Sequence, residues 1–268
     1  GPVRVEPTLF RLLQAARRLW EESQGAFDIT IAPLMRCWGF MGGSGQLADP
    51  AAVAEARQRV GMDKVILNKE EFTVRFAAPG MMLDLGSIGK GYALERAALL
   101  LREAGITSAL VHGGTSTACA IGAPPEADAW HIAVERPRLD SPHPAALTAS
   151  PPDPETILAH IPLRDEALSV SAIWGKSFEA NGRRYGHVMD PRTGEPTEGA
   201  LLAAVVLPSA METDAFSTAL LTLGLSGHDY IAGLRTGMRT LVVARGQGTG
   251  ALEVNARGIT TTESKNAG

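Results

Sequence analysis

The stretch "SFEANGRRYGHV" places Asn181-Gly182 between two short β-prone runs. Asn-Gly readily takes the positive backbone angles of a type I′ turn, and that turn joins antiparallel strands. A hairpin is therefore predicted here, and two further segments repeat the signal. "KVILNKEEFTVRF" alternates like the two strands of a hairpin, and "TSALVHGGTSTACAIGA" reads as strand, Gly/Ser/Thr turn, strand. Helical spacing interrupts these pairs: in "PTLFRLLQAARRLWEES" the residues Leu9, Leu12, Leu13, Ala16, Leu19 and Trp20 predict an amphipathic helix over Thr8 to Ser23. Strands grouped as hairpins with helices between them argue for an α+β fold rather than a regularly alternating α/β one. No internal repeat of fixed period is present.

The remaining punctuation completes the outline. "DPAAVAEARQRVG" predicts a short helix with Asp49 as N-cap and Gly61 as C-cap. "MMLDLGSIGKGYALERAALLLREAG" predicts a short strand, a glycine-bearing turn and a long helix ending at Gly105. In "QGAFDITIAPLMRCWGF", Gly25 and Pro33 break the pattern, so an irregular aromatic loop is expected. "LLAAVVL" is a strand, followed by helices near Glu212 to Leu223 and His228 to Thr236 and by the strand "RTLVVA". Residues 136–154 hold enough proline to exclude a continuous helix or a central strand, and read as a surface insertion. One domain over 1–258 with a frayed tail at 259–268 is the expected organisation.

Composition bounds the function. At 268 residues and 45% hydrophobic content the chain can bury a sizeable core. A net charge of -4 without a long Lys/Arg run provides no electrostatic footprint for nucleic acid or an anionic membrane. Cys37 and Cys119 match no ligand spacing and are expected to be buried thiols. No apolar run approaches the roughly 20 residues of a membrane span.

Five places are candidates for chemistry. Asp214 and Thr218, four apart on one helix, project hard oxygen donors from one face, which suits Mg²⁺. Spacing alone favours the plainer alternative, a carboxylate at the first helical turn and a threonine bonded back to a carbonyl. "DLGSIGKGYALERA" sets Asp84, Ser87 and Lys90 among glycines at a helix start, where backbone N–H groups can meet phosphate oxygens. "HGGTSTA" is suited either to contact with a flat ring or phosphate or to a tight hairpin turn. The aromatic loop with Phe27, Asp28, Trp38 and Phe40 can clasp a ring or plug the core. His187, beside Val188 and near Asp190, reads on its own as a structural histidine.

Taken in order, "GAFDIT…PLMRCWGF", "LDLGSIGKGYALERA", "LVHGGTSTACAIG", "HVMDPRTGEP" and "TDAFSTALLTLG" resemble the ApbE family of FAD:protein FMN transferases, from about Val3 to Leu225. The resemblance implies a single α+β domain with mixed or antiparallel sheets and flanking helices. It implies an Mg²⁺-dependent enzyme that splits FAD at its pyrophosphate, attaches FMN through a phosphoester to a Ser or Thr of a target flavoprotein, and releases AMP. Carried over by position, Asp214 and Thr218 are side-chain metal ligands, the Gly89 carbonyl a third, and Ser217 an assistant. Ala26, Phe27, Asp28, Asp84, Ser87, Lys90, Gly113, Gly114, Thr115 and Val188 are the expected FAD contacts. His187 is the expected base or orienter beside the reacting phosphate, with Asp214 sharing the catalytic role.

Several positions depart from the family pattern. His112 and Thr115 flank the Gly-Gly pair in place of an Asn and an acidic or amide residue, and Gly89 stands where Ala is usual. "LSVSAIWGKSF" keeps Ser171 but brings in Ile173 and Trp174. The resemblance also implies further residues ahead of the opening helix, and a periplasmic or membrane-associated address. FAD pyrophosphatase activity and a non-catalytic flavin-binding role are the alternatives. The acceptor protein and the oligomeric state are not legible in the sequence.

Overall fold

The computed structural model describes residues 1–137, 154–246 and 251–262. Its helices are α1 (Pro7–Glu22), α2 (Ala32–Cys37), α3 (Pro50–Arg57), α4 (Gly89–Glu103), α5 (Ala210–Leu223) and α6 (His228–Ala232). Its strands are β1 (Val3–Arg4), β2 (Val65–Asn68), β3 (Thr73–Phe76), β4 (Ala109–Gly113), β5 (Thr117–Ile121), β6 (Trp130–Glu135) and β7 (Ile157–Leu163). They continue with β8 (Ala167–Ala172), β9 (Ser177–Ala180), β10 (Arg183–Gly186), β11 (Leu202–Leu207), β12 (Arg239–Arg245) and β13 (Leu252–Arg257). The fold is α+β, and its strand pairings are antiparallel.

A six-stranded sheet in the order β13-β12-β11-β8-β5-β4 organises the molecule. Strand β11 lies inside it and every one of its residues is buried. Alternate side chains leave a strand on opposite faces. Ala203, Val205 and Leu207 accordingly enter one core with α1 and α5, while Leu202, Ala204 and Val206 enter a second with β7. Coverage on both faces is why "LLAAVVL" is apolar throughout instead of alternating. Phe216 of α5 is fully buried in the first core, a burial worth roughly 1.5–3 kcal/mol.

Helix α5 packs against α4, β8 and β11. Its N-cap is Ser209, whose side chain accepts from the Glu212 N–H at 3.2 Å. Glu212 in turn binds Arg18 of α1 at 2.7 Å and Arg235 at 2.9 Å, and Arg235 reaches Glu22 at 2.6 Å, so three segments are tied at one end of the helix.

The Asn181-Gly182 turn forms as expected, with φ of 53° and 72°, and joins β9 to β10. Other expectations need correction. The "MMLDLG" segment pairs in no sheet; its anchor is the Asp84 N–H donating to the Ile29 carbonyl at 2.7 Å. The aromatic loop contains α2, because Pro33 occupies the first helical turn, where its missing N–H costs nothing. Helix α3 keeps Asp49 as N-cap but stops at Arg57, with Gln58 as its C-cap; Gly61, at φ 133°, opens a separate turn. Helix α6 ends at Ala232 rather than Thr236. Thr261, placed in the frayed tail, is buried and bridges Ala159. Residues 138–153 of the proline-rich insertion, and 263–268 of the tail, lie outside the described residues. Cys119 is buried and Cys37 half-buried, both free.

Candidate active site

A cavity of about 960 Å³ opens at one end of the six-stranded sheet, where β8 ends, β11 begins and the β4–β5 turn lies, at the upper end of the roughly 300–1,000 Å³ typical of small-molecule sites. Ala26 and Asp28 line it from the segment before α2, Asp84 and Ser87 from the turn leading into α4, and Lys90 from the first turn of that helix. Gly114 and Thr115 contribute from the β4–β5 turn, His187 and Val188 from the end of the β9–β10 hairpin, Asp214 and Thr218 from α5. The fold thus brings all five motif regions to one cleft.

Four expected site residues sit otherwise. The Phe27 side chain is fully buried in the first core, so it cannot meet a ligand in the cleft. Ser217 is fully buried behind Thr218. Gly89 and Gly113 adjoin the cleft without lining it; a Cβ on Gly113 would touch Leu94 and Lys90 of α4 at 3.5 and 3.8 Å. Trp38 and Phe40 form a plug, not a clasp. Trp38 lies 5.6 Å from the Tyr185 ring and donates its indole N–H to the Gly194 carbonyl at 2.9 Å, while Phe178 stacks on Tyr185 at 5.1 Å. These rings hold the hairpin that carries His187.

Asp214 is the electrostatic centre of the cleft. It is 2% exposed and lies one turn beyond the helix start, so Ser209 and not Asp214 serves as the cap. One carboxylate oxygen accepts the Gly91 N–H at 2.9 Å. The other accepts the Ser169 hydroxyl at 3.3 Å and faces the Lys90 ammonium at 3.4 Å. Lys90 also donates to the Gly86 carbonyl at 2.7 Å, so the glycine turn and α5 share one cation. Thr218 does bond back to the Asp214 carbonyl at 3.2 Å, and the residue still lines the cleft. Behind both lies a row of hydroxyls that the sequence reading missed in part: Thr117 to Ser169 at 3.2 Å, Ser217 to Ser169 at 3.2 Å, Ser171 to Ser217 at 2.9 Å. The signal was present in "LSVSA", where Ser169 and Ser171 are two apart and so share a face of β8.

His187 is held from behind. Its backbone N–H donates to the Lys176 carbonyl at 3.0 Å and its Nδ1 lies 3.2 Å from the same oxygen. A carbonyl can only accept, so Nδ1 carries the proton and Nε2 keeps a free lone pair. Gly175 packs on the ring: a Cβ there would stand 3.3 Å from Cε1, at a φ of 139° that side chains rarely adopt. Burial pushes the His187 pKa below its usual 6.5; the hydrogen bond to the Lys176 carbonyl opposes this, and the charges of Lys176 and Lys90 reinforce it. Asp190 does not join the site; Arg192 binds both its carboxylate oxygens, at 2.9 and 2.7 Å, which stiffens the turn. Asp28 is buried with its carboxylate bonded to Thr30, and burial lifts its pKa to about 6.

A buried carboxylate, a tautomer-fixed imidazole and two glycine-bearing turns meet around one large cleft in an α+β protein. The chain belongs to the ApbE family, whose model matches residues 1–242. It is 31% identical over 230 residues to the FAD:protein FMN transferase of Haemophilus influenzae, covering 83% of this chain and 62% of that protein. With the enzyme of the same name from Escherichia coli K12 the identity is 28% over 235 residues, covering 84% and 61%. The chain thus spans about three-fifths of the length of the curated relatives it matches. Among solved structures, the Thermotoga maritima ApbE protein superposes with a TM-score of 0.81 at 28% identity, covering 94% of this chain and 77% of that one. The apo Pseudomonas stutzeri flavinyl transferase ApbE gives 0.77 at 27% identity, covering 96% and 75%.

Proposed function

We propose that this chain is an Mg²⁺-dependent flavin transferase: it cleaves FAD at the pyrophosphate, joins FMN to a Ser or Thr hydroxyl of a target flavoprotein, and releases AMP. The observation that carries the reading is the meeting of Asp214, Thr218 and His187 in one cleft large enough for a dinucleotide. The names of the relatives support the reaction class.

The donor set fits a hard cation. Among the described residues no three His, Cys, Asp or Glu side chains form a metal cluster; the Asp214 carboxylate and the Thr218 hydroxyl, both in the cleft lining, would hold Mg²⁺ with phosphate and water completing the shell. Asp214 already faces a cation, the Lys90 ammonium. Mg²⁺, when bound, supplies charge neutralisation at the pyrophosphate. The Lys90 ammonium, held at the cleft by the Gly86 carbonyl, orients the phosphates. His187 Nε2 takes the proton of the attacking hydroxyl as its oxygen bonds to the FMN phosphorus, and the bond to the AMP oxygen breaks.

Incubation with FAD, Mg²⁺ and a separate flavoprotein domain bearing an acceptor Thr tests the proposal, with protein-bound flavin fluorescence, FMN and AMP as readouts. Covalent label with equimolar AMP supports transfer. Free FMN without label would recast the protein as a pyrophosphatase, and intact retained FAD as a binding protein.

His187→Ala is expected to lower transfer by roughly 100-fold or more while FAD affinity changes little. The imidazole acts when neutral, and its pKa is depressed below 6.5. Transfer should therefore persist as pH falls through 6.5 and decline only below it. An acid limb of kcat at or above pH 6.5 would remove His187 from the role of base.

A further inference from the structure

Ser171 lines the cleft beside Thr218 and is half-buried. It has one hydrogen-bond proton and two acceptor lone pairs, and its neighbours decide where that proton goes. Ser217 donates to the Asp214 carbonyl at 3.0 Å and toward Ser169 at 3.2 Å. Thr218 donates to the Asp214 carbonyl at 3.2 Å. Neither has a proton to spare for Ser171, yet Ser171 contacts Ser217 at 2.9 Å and Thr218 at 3.3 Å. With those two protons directed at the Asp214 carbonyl, Ser171 gives its single proton to the nearer partner, Ser217, and that proton points inward. The order is anchored at its far end, since Ser169 donates to the Asp214 carboxylate.

With its proton committed inward, Ser171 presents lone pairs to the cleft, and among the described residues no side chain is seen donating to them. We infer that Ser171 Oγ is an acceptor subsite for an aliphatic hydroxyl of the ligand, next to the Asp214–Thr218 pair. The inference rests on the flavin-transfer reading, which brings such hydroxyls to that place from two sources. The ribityl chain carries them beside the FMN phosphate, and the acceptor side chain carries one to the same phosphorus.

Two arms distinguish the sources. In the first, Ser171→Ala and the wild type are titrated with FAD and with an FAD analogue whose ribityl chain is a plain alkyl spacer. In the second, transfer is measured against acceptor concentration. Loss of one such bond should weaken the affected step roughly 3- to 10-fold. A ribityl donor is expected to raise the FAD Kd in Ser171→Ala and leave that of the alkyl analogue unchanged. An acceptor donor is expected to raise the acceptor KM and spare both Kd values. A purely structural serine shifts both flavin ligands alike and leaves the acceptor KM untouched; that outcome, or no change anywhere, overturns the inference. If the wild type labels no acceptor, the transfer reading fails and the two flavin titrations alone decide the subsite.

Discussion

Replacing Asp214 with alanine is expected to abolish Mg²⁺-dependent turnover, a fall of at least about 100-fold from the loss of one preorganised charge. The same change leaves the Gly91 N–H and the Ser169 hydroxyl without their acceptor and Lys90 without its counter-charge. An abandoned buried donor costs about 1–3 kcal/mol, so stability should also drop. Asp214→Asn separates the two effects: it keeps the shape and an acceptor oxygen but not the charge. The asparagine variant should melt near the wild type in calorimetry and still show no Mg²⁺-dependent turnover. Wild-type rates in either variant would remove Asp214 from the site.

Gly91→Ala should be the most damaging single methyl in the molecule near the site. Helix α4 approaches α5 so closely here that an added Cβ would lie 2.7 Å from the Ala210 carbonyl carbon and 2.8 Å from the Asp214 Cβ. Both neighbours belong to helix α5, and the first is backbone, so a helix must shift. Overpacking of this kind costs about 3 kcal/mol, or a fall in Tm of roughly 6–12 °C for a chain of this size. The shift also lengthens the 2.9 Å bond from the Gly91 N–H to Asp214, so turnover at 25 °C should decline even in the folded fraction. An unchanged Tm together with unchanged turnover would show that the helices do not pack as described.

Much of this was legible wherever local chemistry decides. The spacing in α1 and the Asn181-Gly182 turn are local signals, and both elements formed. Asp214 was harder. Spacing offered a helix cap, whereas "SAME" at 209–212 carries the Ser-x-x-Glu capping signal and releases Asp214 from that duty. Only the order of the other motifs pointed to the cleft. The aromatic loop was ambiguous for another reason: the Trp38–Gly194 bond joins residues 156 apart, and no local pattern encodes which distant hairpin a ring will meet. For the same reason Phe27, inside a correctly located motif, turned out to face the core.

Strand β11 has a mechanical consequence for the cleft. Its two faces belong to two different cores, so neither can loosen without dragging the other. β8 and α5, which supply Ser171, Asp214 and Thr218, both pack directly on this strand. Opening that wall is expected to cost close to the free energy of unfolding the whole molecule. Any breathing of the rim falls first to the turn at 113–116, whose residues enter neither core.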